Sequence, residues 1–153
     1  MINNNQTSRQ KPLLVLVAED DEDDRLLIED AFSETKLPNP IFFVNDGEEL
    51  LDYLHHRQPY TAVQHPLPGL ILLDLNMPRK DGREALKEIK SDPNLQRIPI
   101  VILTTSQEEE DIMRSYSLGI SSFIAKPVAF EQLVEVIQCI AYYWFEVVVL
   151  PPK

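Results

Sequence analysis

Carboxylates crowd the end of the first apolar run in this chain. Leu13–Ala18 passes directly into Glu19-Asp20-Asp21-Glu22-Asp23-Asp24. Acids in the first turn of a helix complement its dipole, which accounts for Glu22, Asp23 and Asp24 as a helix start. It does not account for Glu19 and Asp20, which fall at the end of a strand-like run, where clustered carboxylates repel one another unless a cation neutralises them. Hard oxygen ligands of such charge suit Mg2+. A second apolar run, Leu70–Leu73, ends in Asp74. Burying a charge is expensive, so a carboxylate in that place points to chemistry, and an aspartate can attack phosphorus to give an acyl phosphate. A metal beside it would neutralise the transferring group. Pro78 and Gly82 shape the following loop, and Asp81 reads as a helix cap. A third run ends in Thr104-Thr105-Ser106. A hydroxyl there can donate to a phosphoryl oxygen or cap the helix that begins near Glu108, and for Ser106 both readings stand. A fourth run ends in Lys126-Pro127, whose ammonium supplies the positive charge that three acids and a phosphoryl dianion need. The X-Pro bond raises the chance of a cis peptide that would aim Lys126 inward.

Regular elements must bring these groups together. Short Val-, Ile- and Leu-rich runs lie at Leu13–Ala18, Ile41–Val44, Leu70–Asp74, Ile100–Leu103 and Ser122–Ala125, and their scarcity of polar interruptions suits strands buried on both faces of a parallel sheet. Helical stripes alternate with them. Glu22–Lys36 carries Leu26, Leu27, Ala31 and Phe32; Gly47–His56 carries Leu50, Leu51 and Leu54; Gly82–Lys90 carries Ala85, Leu86 and Ile89. Glu108–Leu118 carries Ile112, Tyr116 and Leu118, and about Phe130–Phe145 carries Leu133, Val136, Ile137, Ile140, Ala141 and Trp144. The alternation predicts a doubly wound α/β fold, a flavodoxin-like (βα)5 parallel five-stranded sheet with right-handed crossovers. In such sheets the site lies outside the carboxyl ends of the strands, where all four reactive runs end. Residues 12–146 read as one domain, after a polar leader over 1–11 and before an apolar tail over 147–153. Gln58–Gly69, with its prolines, reads as a long surface loop and the best candidate for a mobile segment.

Composition narrows the partners. The 153 residues carry a net charge of -11, which argues against nucleic acid and against anionic membranes, since both attract Lys/Arg surfaces. No run approaches a membrane span, and Met1–Lys11 lacks the apolar stretch of a signal peptide, so a cytoplasmic location is expected. Cys139 is the single cysteine, sits inside an apolar run and reads as a buried thiol.

Taken together, Val17-Ala18-Glu19-Asp20-Asp21, Leu73-Asp74-Leu75-Asn76-Met77-Pro78-Arg79-Lys80-Asp81-Gly82, Leu103-Thr104-Thr105-Ser106 and Lys126-Pro127 resemble the receiver domains of two-component response regulators. The resemblance covers roughly Leu13 to Phe145. It implies Asp74 as phosphoacceptor, with Glu19, Asp20, Asp74 and the Asn76 main-chain carbonyl as Mg2+ ligands. Thr104 and Lys126 would contact the phosphoryl group, and Phe123 occupies the family's aromatic switch position beside Thr104. Phe in place of the common Tyr removes a hydroxyl there. Thr105 is bulkier than the Ala or Gly often found at its position, which implies a long-lived phosphoryl state. Arg79-Lys80-Asp81-Gly82-Arg83-Glu84, Leu103-Thr104-Thr105-Ser106, Asp111-Ile112-Met113-Arg114-Ser115-Tyr116 and Tyr143-Trp144-Phe145 are similar to a narrower subgroup, small single-domain regulators partnered with cyanobacterial phytochrome histidine kinases.

No output domain is expected after the last helix. Tyr142–Phe145 and Val147–Pro152 form an apolar end that would be a liability if exposed, so a homodimer through the C-terminal region is expected, an added strand being one way to form it, with packing back on the chain's own domain as the alternative. Other functions fit less well. Haloacid-dehalogenase-like phosphatases also use a strand-end Asp, a hydroxyl, a Lys and Mg2+, but they need a second acid where this chain has Asn76. A flavodoxin-like cofactor carrier would need a hydroxyl-rich first loop rather than an acidic one. A scaffold receiver that works without phosphorylation would not need the complete acid set.

Overall fold

A computed structural model describes residues 14–35, 39–106, 108–126 and 129–142. Five strands and five helices alternate along it: β1 (Val15–Ala18), α1 (Glu22–Thr35), β2 (Ile41–Val44), α2 (Gly47–Leu54), β3 (Leu70–Leu73), α3 (Gly82–Ser91), β4 (Ile100–Thr104), α4 (Glu109–Leu118), β5 (Ser122–Ala125) and α5 (Phe130–Tyr142). All neighbouring strands pair in parallel, in the order β2-β1-β3-β4-β5. The strand order reverses between β1 and β3, and such a switch point opens a crevice at the strand ends. The flavodoxin-like sheet expected from the sequence is therefore present.

Successive strand residues point to opposite faces, so the apolar runs feed two cores. Leu16, Ala18, Ile71, Leu73, Ile100 and Ile102 pack with Leu50, Leu51, Leu86 and Ile89 from α2 and α3. Val15, Val17, Leu70, Leu72, Val101 and Leu103 pack with Ile28 and Phe32 of α1 and Leu133 and Ile137 of α5. β1, β3 and β4 are buried at every residue, whereas the edge strands β2 and β5 are only partly so. Fully burying one Leu or Ile contributes about 1.5–3 kcal/mol, so the three central strands hold the site's platform firmly. Among the described residues no helix is long and apolar enough to cross a membrane.

Several expectations change, and Leu26 and Tyr116, assigned to apolar helix stripes, are exposed. Cys139 is exposed, not buried. Leu133 and Ile137, four apart, turn inward on α5, and a residue two beyond Ile137 falls on the opposite side of the helix. The loop over 58–69 is pinned rather than loose. Tyr60 is buried, Tyr53 Oη donates to the Pro66 carbonyl at 2.9 Å, and the rings of Phe42, Tyr53, Tyr60 and His65 lie 5.0–6.1 Å apart in tilted and edge contacts. α2 ends at Leu54 rather than His56, whose φ of 55° takes it out of helical geometry. The leader, the apolar tail and the Lys126–Pro127 bond lie outside the described residues.

Candidate functional site

The ends of β1, β3, β4 and β5 meet at one edge of the sheet. One carboxylate oxygen each from Glu19, Asp20 and Asp74 lies within 4.8 Å of the others, with Glu19 and Asp74 buried and Asp20 open to solvent. Register explains the convergence. β1 pairs with β3 so that Ala18 stands beside Leu73, which brings the next residues, Glu19 and Asp74, out of the sheet together. The Asp74 amide donates to the Ala18 carbonyl at 3.1 Å and locks the two strand ends. Lys126 arrives from the far strand in the same way, its amide donating to the Thr104 carbonyl at 2.7 Å.

The Lys126 ammonium is the charge centre. Its Nζ donates to Glu19 at 2.6 Å and to Asp24 at 2.8 Å, and lies 3.4 Å from Asp74 Oδ2. Burial pulls its pKa down, but the Asp24 and Glu19 hydrogen bonds and the charges of Glu19 and Asp74 outweigh burial, and the ammonium stays charged. Burial pushes the Glu19 carboxyl up to about 7, against its hydrogen bond to Lys126 and with the charge of Asp74 adding to the rise. The hydrogen bond and charge of Lys126 thus do not offset the burial of Glu19. The donor set of Glu19, Asp20 and Asp74 is all oxygen, which suits a hard divalent cation. Asp24, assigned from the sequence to the helix dipole alone, proves to be a direct partner of Lys126. Acids at successive positions of a first turn carry no mark in sequence of which one faces a lysine 102 residues away.

On the other side of Asp74 lie the hydroxyls. Thr104 is fully buried, and its Oγ1 donates to Asp74 Oδ1 at 2.7 Å. The Asn76 amide N–H donates to the same oxygen at 3.0 Å. The Asn76 side chain spans the mouth, with Nδ2 donating to Thr105 Oγ1 at 3.2 Å and lying 3.4 Å from Thr104 Oγ1. Asp81 caps α3 as expected, accepting from the Arg83 and Glu84 amides. Of the two roles weighed for Ser106, the helix cap is not the one it takes. It does not cap α4, whose N-cap position is Glu108, and its Oγ donates to Asp111 Oδ2 at 2.6 Å. Asp111 in turn receives a two-pronged grip from Arg83, Nε to Oδ1 at 2.8 Å and Nη2 to Oδ2 at 2.7 Å. The Arg83 guanidinium holds the Asp111 carboxyl down at about 2, burial opposing and the Ser106 hydroxyl helping. Phe123 is half-buried against the core beneath α2 and α3, and its amide donates to Tyr116 Oη at 3.1 Å.

A small cavity of about 130 Å³ opens beside the cluster, lined by Asp24, Leu27, Ile28, Leu103, Thr105, Lys126 and Leu133. The site therefore has a charged rim over the α1–α5 core.

Comparison with known proteins agrees with this geometry. The response regulator receiver domain matches residues 15–138. The chain belongs to the response regulator receiver family. This receiver is 38% identical over 140 residues to response regulator Rcp1 of Synechocystis sp., spanning 92% of this chain and 94% of that one. It superposes on the phosphorylated cyanobacterial phytochrome response regulator RcpA with a TM-score of 0.84 at 40% identity, covering 92% of this chain and 99% of RcpA. The Mn2+-bound form of Rcp1 gives 0.83 at 38% identity, covering 92% and 100%. The narrower likeness to cyanobacterial phytochrome response regulators thus holds over most of the chain. Receiver domains bind Mg2+ or Mn2+ at an acidic site, and Glu19, Asp20 and Asp74 are the acids this receiver brings together.

Proposed function

We propose that this receiver accepts a phosphoryl group on Asp74 from a phosphohistidine of a histidine kinase, of phytochrome type, in the cytoplasm. The observation that carries the reading is the convergence of Glu19, Asp20 and Asp74 beside Lys126, with Thr104 already hydrogen-bonded to Asp74. Glu19, Asp20, Asp74 and the Asn76 carbonyl would hold Mg2+, which supplies charge neutralisation for the transferring phosphoryl oxygens. A carboxylate oxygen of Asp74 attacks phosphorus. The bond from phosphorus to the donor imidazole breaks, and its electron pair stays on that nitrogen. Lys126 balances the negative charge that the new acyl phosphate brings next to Glu19. Thr104 keeps its hydroxyl proton and turns to donate to a phosphoryl oxygen instead of the carboxylate. The space Thr104 leaves admits Phe123, and the α4–β5 surface changes shape, a population shift driven by one local charge.

Family membership supports a switch rather than a catalyst of turnover, and Asn76 stands where a phosphatase of similar build would need a second acid. Transfer from a phosphorylated kinase domain tests the reading. Wild type takes the label, Asp74→Asn does not, and label on Asp74→Asn would refute the assignment. The apolar composition of Tyr142–Pro152 supports a homodimer through the C-terminal region. Sedimentation of a chain truncated after Phe145 shows loss of dimer mass if that holds, and an unchanged mass refutes it.

A further inference from the structure

Asn76 is exposed, two residues beyond Asp74. An exposed amide ordinarily samples several rotamers, yet this one is held at both ends. Nδ2 donates to Thr105, and Oδ1 accepts from Arg83 Nη2 at 3.2 Å. Arg83 cannot swing away easily. Asp111 grips it through Nε and Nη2, while Nη1 lies 3.2 Å from Asp81 Oδ2 and 3.4 Å from the Leu75 carbonyl. Asp111 is itself mostly buried and fixed by Ser106. A two-pronged guanidinium–carboxylate pair adds geometric specificity as well as energy. The first turns of α3 and α4 are thus tied together, and the tie points Arg83 at the Asn76 carbonyl oxygen. No hydrogen bond joins Arg83, Asp111 or Ser106 to Asp74 among the described residues.

We propose that Arg83 and Asp111 are positioning residues that set the lifetime of the phosphoryl state by clamping the Asn76 amide across the mouth of the site. The inference rests on Asp74 being the phosphoacceptor. Hydrolysis needs a water oxygen to attack phosphorus opposite Asp74. The phosphorus–Asp74 oxygen bond then breaks, its electron pair returns to the carboxylate, and the water's protons leave with inorganic phosphate and solvent. The clamped amide obstructs the water's approach, and a freed one swings aside. Asp111 acts through Arg83, and the Ser106 hydroxyl acts through Asp111, so removing either side chain loosens the same amide.

The test loads the full-length protein with radiolabelled acetyl phosphate and Mg2+, removes the donor and follows loss of label. Arg83→Ala shortens the half-life about five-fold, the worth of one hydrogen bond holding the amide. Arg83→Lys keeps the charge but not the fork and shortens it comparably. Asn76→Ala shortens it too, and adding Arg83→Ala to Asn76→Ala changes nothing further. A merely structural role for Arg83 would give the same fold-change in both backgrounds, and that result overturns the inference, as does an unchanged or longer half-life in Arg83→Ala. A wild-type protein that takes no label refutes the phosphoacceptor reading and this inference with it. Label that forms normally but decays at one rate in every variant refutes the clamp alone.

Discussion

Replacing Gly82 by alanine tests how tightly the start of α3 seats on the strand carrying Asp74. A Cβ at residue 82 would lie 2.2 Å from the Asp74 carbonyl oxygen, 2.7 Å from Leu75 Cα and 3.0 Å from the Asp74 carbonyl carbon. All three are backbone atoms, so no rotamer change relieves the clash. The helix start must back away by roughly 1 Å to regain ordinary contact, and overpacking of this kind costs about 1–3 kcal/mol. The move also strains the Gly82 amide's bond to the Leu75 carbonyl, now 2.9 Å, adding about 1 kcal/mol. The expected loss is therefore about 2–4 kcal/mol, or roughly 5–15 °C in the thermal midpoint of a domain this size. Gly119 supplies the control. It caps α4 with φ of 100° and has nothing within 4 Å of its would-be Cβ, so Gly119→Ala costs only the left-handed strain, roughly 1–2 kcal/mol. Urea unfolding of the two variants decides the matter. If Gly82→Ala costs no more than Gly119→Ala, the close seating of α3 on Asp74 is refuted. If the reasoning holds, Gly82→Ala also takes up label more slowly, because the residue that must yield is Asp74 itself.

Acid titration isolates Asp111. Its carboxyl is held at about 2 rather than 3.8, so the stabilisation is complete above the ordinary value and drains away as pH falls towards 2. The groups facing it are Arg83, Ser106 and Arg114, and the shift corresponds to about 2 kcal/mol. Between pH 5 and 2 wild type should lose about that much more stability than Asp111→Asn, and parallel curves would contradict the pairing. Lys126→Met removes the ammonium from among three acids, so Mn2+ should bind about ten-fold or more tightly by calorimetry; weaker binding would mean that Lys126 organises the acids rather than competing for them. The exposed Cys139 should react with a thiol reagent in the native protein at nearly the rate of a free thiol. Reaction only at the rate of unfolding would show it covered.

The central strands were legible because burial on both faces leaves nearly unbroken apolar runs, and helix starts because caps and acidic turns are local. Asp74, Glu19, Thr104 and Lys126 could be placed for the same reason, since each follows or ends a strand that reads clearly. What escaped depends on side chains meeting across the fold. Arg83 and Asp111 are 28 residues apart, and each alone looks like an ordinary helix-surface charge. Ser106 was ambiguous because its partner is that same Asp111. Asp24 sat unmarked among like acids. Two signals were present and went unused. The spacing of Leu133 and Ile137 gives a helical phase that turns Cys139 outward, and Tyr60 and His65 put aromatic rings in a segment whose prolines suggested a loose loop.

The ion pair between Glu19 and Lys126 spans 107 residues of chain. A ribosome has therefore released almost the whole domain before the acids after the first strand meet Lys126, the one ammonium close to them among the described residues. Until β5 docks, Glu19 and Asp74 have no Lys126 to offset them in the interior, and water must stay to solvate them. Completion of the charge set thus coincides with completion of the sheet, and if the acids take a divalent ion as proposed, its affinity becomes a readout of whether the last strand has arrived. A chain stalled short of β5 would present the acids without their cation, a difference that metal binding could report during synthesis.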